Sequence, residues 1–177
     1  MITVEDVRQA MRLPRSIQDE VVEDVIRRAV ARLRAYCRWH VFPEREEAVT
    51  LSTNGSASVL LPSLRVLDVS RVAIGGWALD EDAYGVDRDG RLRLNGGRRF
   101  PDMLGGLEVT MRHGYAEDDV DDVRDVLLGM VERVLTLPHF IKQSSTGDAS
   151  VTYGADAALR PTFGDKEVLD EYRIVVQ

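Results

Sequence analysis

Apolar positions in this chain recur with two different periods, and the period changes twice. Val4, Val7 and Met11 mark one face of a short helix predicted over 3–12, with Thr3 as N-cap and Asp6 at the capping-box position. Leu13-Pro14-Arg15 interrupts it, because proline disfavours helix at the residue before it. Ser16 is then the candidate cap of a long second helix reaching about Trp39, with Asp19 in its capping box. Val22, Ile26, Ala29, Leu33 and Tyr36 form a narrow apolar stripe suited to packing on another helix. Acids fill the start of this helix and arginines 27, 28, 32, 34 and 38 fill its end, an order that complements the helix dipole.

From 47 to 113 the texture turns to short strands. Ala48–Thr53 and Ala57–Leu61 flank Asn54-Gly55, the strongest short hairpin signal, so a hairpin is expected there. Leu64–Ile74 reads as a longer strand ending at Gly75-Gly76, and 91–94 and 107–113 as two more, the last with clear alternation. A third helix is predicted from about Val120 to Leu137, with Val123, Leu127, Met130, Val134 and Leu137 as its stripe and Pro138 as its stop. Residues 139–164 are polar and glycine-containing, with a strand-like Ser150–Tyr153. A last short helix is expected over 165–173, before an apolar Ile174-Val175-Val176-Gln177. The reading is an α+β, mainly α chain: a helical core over 1–138 with a β insertion at about 47–113, then a C-terminal arm over 139–177.

Composition narrows what this chain can do. At 177 residues, 44% hydrophobic and 30% charged, it is an ordinary globular chain able to bury its own core without a metal or disulfide staple. Its one cysteine, Cys37, allows no intrachain disulfide and sits in a helix, where a small buried hydrophobe is the plain reading. No apolar run approaches the ~20 residues of a membrane span. Met1–Asp6 has neither the basic nor the apolar segment of a signal peptide, so none is expected. A net charge of −7 argues against gripping nucleic acid by phosphate neutralisation, while permitting DNA to slide past.

Candidate chemistry is sparse. Glu117, Asp118, Asp119, Asp121 and Asp122 run consecutively around the start of the third helix, which suits capping and dipole complement better than converging metal ligands. Asp87-Arg88-Asp89-Gly90 resembles the opening of a calcium loop, but Arg98 stands where the twelfth ligand belongs, so a hairpin turn is expected. His40, His113 and His139 form no triad pattern with Cys37 or a serine, and no glycine pair belongs to a nucleotide-binding loop. No cofactor, metal or catalytic residue is therefore assigned.

The order of segments does resemble a known family. Tyr36-Cys37-Arg38-Trp39-His40-Val41-Phe42-Pro43 closes the long helix. Leu60-Leu61-Pro62 and Val66-Leu67-Asp68-Val69 lie in the strand region. His113-Gly114-Tyr115 leads into Val120-Asp121-Asp122-Val123-Arg124. Gly147-Asp148-Ala149-Ser150-Val151-Thr152-Tyr153-Gly154 precedes a short helix reaching Tyr172-Arg173. Together these are similar to the head–tail connector family of siphophages, also called the neck adaptor or head completion family. The β insertion is long for that pattern.

The resemblance implies a non-enzymatic virion protein, made in the host cytoplasm. It implies a closed dodecameric ring beneath the portal that passes double-stranded DNA without reading it and meets a stopper or tail-side protein below. It further implies that the arm reaches the portal, with Val168, Leu169, Tyr172 and Ile174 as the contact. Asp118, Asp119, Asp121, Asp122, Arg28 and Arg32 are the candidates for lumen or subunit-interface charge. Other neck components (a stopper or tail terminator), a metal-dependent enzyme using the acids, and a host protein-interaction domain remain the competing readings.

Overall fold

Thr3 opens the first helix as its neighbours dictate. Its hydroxyl accepts from the Asp6 amide, and the Asp6 carboxylate accepts from the Thr3 amide at 2.8 Å, closing the capping box over α1 (Val4–Met11). In the computed structural model, which describes residues 2–14, 17–137 and 157–175, α2 follows as Asp19–Cys37. It starts later than the expected cap. Gln18 is the N-cap and gives no side-chain hydrogen bond, while Ser16 lies outside the described residues. Arg8 takes over the anchoring: it donates to the Ile17 carbonyl at 2.6 Å and to the Asp19 carboxylate at 2.8 Å, tying α1 to the first turn of α2. Val22, Ile26, Ala29 and Leu33 are buried as the stripe requires, joined by Val25 and Cys37.

α3 (Asp121–Leu135) buries Val123, Leu127, Met130 and Val134, with Val126, Val131 and Leu135 widening the stripe. α4 (Phe163–Asp170) begins slightly before the expected position, because Thr162 forms a second capping box with Asp165. These four helices fall in one compact unit, Met1–Arg38 with Val120–Arg173. Within it α2 packs on α3, α1 touches both, and α4 docks against both. Ser150–Tyr153 lies outside the described residues.

The second unit, Trp39–Asp119 with Ile174–Gln177, carries two antiparallel sheets. β1 (Arg45–Asn54), β3 (Val66–Ile74), β4 (Trp77–Ala78) and β7 (Asp102–His113) form a sheet in the order β1-β7-β3-β4. β2 (Ser58–Leu60), β5 (Tyr84–Val86) and β6 (Arg91–Leu94) form the other, in the order β2-β6-β5. Leu107, Val109 and Met111 of β7 point into a core with Val72, Leu92 and Phe100.

The strands correct two expectations. Asn54-Gly55 turns the chain, with Gly55 at φ 76, but it makes no hairpin: β1 pairs with β7 and β2 with β6. β1 alternates in burial along nearly its whole length, and only the long amphipathic β7 offers a matching inner face, Val49 opposite Val109 and Leu51 opposite Leu107. The fold is also mixed α+β and not mainly α, because the β region supplies a unit with its own core. The turn at Asp87–Gly90 does form the expected β5–β6 hairpin, with the Asp87 carboxylate accepting from the Arg91 amide at 2.7 Å.

Candidate interaction surfaces

In the helical unit, α4 is held by both packing and polar contacts. Leu169 is fully buried, and its carbonyl lies 3.9 Å from the Cys37 sulfur. The Tyr36 hydroxyl donates to Asp170 at 2.7 Å, and the Arg173 guanidinium stacks over the Tyr36 ring at 5.0 Å. Accepting that bond leaves Asp170 beside the phenol, which raises the Tyr36 pKa. Arg133 bonds Asp165 at 2.7 Å and the Ala158 carbonyl at 3.2 Å. The Tyr172 hydroxyl donates to Asp122 at 3.1 Å. Burial pushes the Cys37 thiol up to about 12, which suits a packing residue and not a nucleophile.

The four residues expected at the portal differ in burial. Leu169 is the one buried residue of α4 and faces its own unit. Val168, Tyr172 and Ile174 are half-buried, and Val175 is 76% exposed. The acids are not gathered into one cluster of ligands. Asp118 and Asp119 sit exposed in a short 3-10 turn (Glu117–Asp119), whereas Asp121 and Asp122 occupy the first turn of α3. Asp122 accepts from the Val123 amide at 2.8 Å, so it satisfies a helix-start donor. Among the described residues no group of three or more His, Cys, Asp or Glu side chains could hold a metal, and no helix is long and apolar enough to cross a membrane. Arg28 lies 3.8 Å from Asp24, and Arg32 is exposed on the same helix.

Within the β unit, two of the quoted motif segments meet. Trp39 packs at 6.0 Å on Tyr115 and 6.3 Å on His113, His40 sits edge-on to His113 at 5.8 Å, and the Tyr115 amide donates to the Val41 carbonyl. Gly114 has φ 103, and a Cβ there would crowd the Pro43 and Val41 carbonyls at 3.2 and 3.3 Å, so this crossing point needs glycine. His113 reaches Glu47 at 3.0 Å across the β1–β7 ladder. Desolvation raises the Glu47 carboxyl, but hydrogen bonds from Arg45 and His113 outweigh it and leave the pKa below its ordinary value.

Two surfaces escaped the sequence reading. At one end of the four-stranded sheet, Trp77 is 82% and Leu104 90% exposed, on the β3–β4 turn and on a bulge at the start of β7. In the helical unit, Ile2, Val4, Ile26 and Val30 line an apolar groove of about 550 Å³ between α1 and α2, rimmed by Glu23, Arg27 and Arg34. The signal for the first was a tryptophan directly after a glycine pair, where a turn leaves little room to bury it.

The head completion protein family matches residues 1–173. The chain belongs to that family. Its fold is similar to a chain in the "Neck of empty GTA particle computed with C6 symmetry", with a TM-score of 0.68 at 16% identity over 99% of this chain and 91% of that one. A chain in the "Neck of native GTA particle computed with C12 symmetry" follows at 0.66 and 15%, over 98% and 89%. One in the "Virion of native gene transfer agent (GTA) particle" is at 0.63 and 17%, over 99% and 91%. No curated protein matches this head completion protein in sequence.

Proposed function

We propose that this head completion protein is a structural subunit of the head–tail neck of a tailed particle. Copies close into a ring beneath the portal, and the ring hands over to a stopper or tail-side protein while double-stranded DNA passes through it. The observation that carries this reading is the family match over residues 1–173. The likeness in fold to neck chains computed with C6 and with C12 symmetry supports a ring, for which twelve copies is our reading, and a net charge of −7 suits a conduit that must not hold DNA. The role asks for no catalytic group and no cofactor.

Within this reading the arm beyond 138 reaches the portal through Val168, Tyr172 and Ile174, whose side chains are partly exposed. Leu169 anchors that segment from within. Asp118, Asp119, Asp121, Asp122, Arg28 and Arg32 supply charge to the lumen or to the contact between copies. Imaging of intact particles by electron cryomicroscopy tests the assignment: one ring of this chain is expected between portal and tail. A single copy, or density elsewhere in the particle, would refute it.

A further inference from the structure

We propose that successive copies lock together by seating an apolar, acidic knob of one copy in the arginine-lined groove between α1 and α2 of the next. The inference rests on the ring reading above and names the contact that would close such a ring.

The knob is built by backbone geometry. Gly75 and Gly76 both hold positive φ, 60° and 84°, which turns β3 sharply into β4. Ala78 pairs with Ala73 and Trp77 with Ile74, and the Leu79 amide donates to the Val72 carbonyl at 2.8 Å. This fixes Trp77 at the sheet edge with 82% of its surface in solvent. Leu104 stands at the same end of the sheet, on the β7 bulge. There a Cβ on Gly106 would lie 1.9 Å from the Met103 sulfur, so glycine lets the partly exposed Met103 side chain lie across the bulge while Leu104 stands out at 90% exposure. Asp80, Glu81 and Asp82 follow Trp77 after two apolar residues, all three exposed, and residues 77–82 hold no basic group. An exposed indole of this kind has a large area to bury at little cost in side-chain entropy.

The groove offers the matching chemistry. Its floor is Ile2, Val4, Ile26 and Val30, and its about 550 Å³ has room for an indole with its neighbours. From Val25 to Pro43 the chain carries five arginines and no acid. Of these, Arg27 and Arg34 line the groove itself. Acid is confined to the N-terminal end of α2, where Glu23 lines the groove and Asp24 pairs with Arg27 and Arg28. Apolar meets apolar, and the acidic 80–82 run meets the arginine ridge. Guanidinium groups beside an indole add a cation–π attraction.

The occupant is a second copy because knob and groove are different surfaces of the same chain. A cyclic ring needs a head-to-tail contact between two non-identical patches, and a self-complementary patch would close a dimer instead.

The test uses the full chain. Ala78→Cys, an exposed neighbour that leaves the indole in place, and Ala31→Cys in the groove are prepared separately, with Cys37 buried and silent in both. Oxidising a mixture is expected to give a disulfide-linked pair, with neither variant linking to itself. In sedimentation velocity Trp77→Ala is expected to weaken self-association at least about tenfold, the effect of a central aromatic anchor. The charge variant Asp80→Asn/Glu81→Gln/Asp82→Asn should weaken it too and make it less salt-dependent, with an unchanged circular dichroism spectrum. A wild-type chain still monomeric at about 1 mM in low salt overturns the proposal, as does linkage of Ala78→Cys to itself or association indifferent to Trp77. A mixed disulfide from a chain found outside the neck would refute the neck reading and leave this contact standing. A ring in the neck without the disulfide would do the reverse.

Discussion

Gly90 shows how one residue can decide a local structure. It holds φ 79 in the β5–β6 turn, and a Cβ there would stand 2.8 Å from the Ser63 carbonyl oxygen. Backbone cannot retreat as a side chain can, so Gly90→Ala is expected to cost about 2 kcal/mol or more in denaturant unfolding. Gly106→Ala meets the Met103 side chain first, which can rotate away as backbone cannot, and is expected to cost less. Glu47 gives the β unit its acid sensitivity. Its carboxyl is held below its ordinary 4.5, so its contribution is fully present above about pH 4.5 and is lost as the pH falls through the lower folded value. Glu47→Gln should therefore flatten the acid limb of a stability–pH profile; an unchanged limb would show that the bonds from Arg45 and His113 contribute nothing. Cys37, fully buried, should react with thiol reagents only on unfolding.

Among the elements, the helices were the most legible. Thr3–Asp6 announced α1 because a capping box is written in four adjacent residues. The α2 stripe was legible for the same local reason, although its start was not, since Arg8 of another helix anchors it. Strand pairing failed where it was non-local: Asn54-Gly55 carried a correct turn signal but says nothing about which distant strand β1 will meet. The burial of Leu169 was not legible, because a single anchoring leucine cannot be told from an exposed one by spacing alone. Leu169→Ala is expected to cost about 2–5 kcal/mol. Deleting 165–177 should lower the melting temperature of the purified chain, where a pure docking arm would leave it unchanged. Tyr36→Phe, which removes only the bond to Asp170, should cost about 1 kcal/mol.

At the scale of the whole molecule, charge makes a separate statement. With a net charge of −7, the chain should not bind duplex DNA at physiological salt any tighter than a weak non-specific contact of about 10⁻⁴ M. Fluorescence anisotropy of a labelled duplex measures this, and micromolar binding would count against the conduit. The candidate surfaces were partly legible. Arg28 and Arg32 were singled out from the helix-end charge pattern, and they lie on the helix that carries the groove. Trp77 and Leu104 were not, because exposure of an apolar residue depends on a bulge and an edge strand that no periodicity encodes.

The sequence by itself determined what depends on near neighbours: the Thr3–Asp6 capping box, the apolar stripes of α2 and α3, the alternation of β7, the β5–β6 turn, the single buried thiol and the family likeness. Only the tertiary structure decided the strand order, the placement of Leu169 inside the helical unit, the meeting of Trp39 with Tyr115, and the exposure of Trp77 beside a run of acids. The physical reason is one of range. Backbone hydrogen bonds and caps close over three or four residues and leave their mark in composition and spacing. Pairing between β1 and β7 joins residues 48 to 68 positions apart, and its choice of partner is settled by which faces fill a common core.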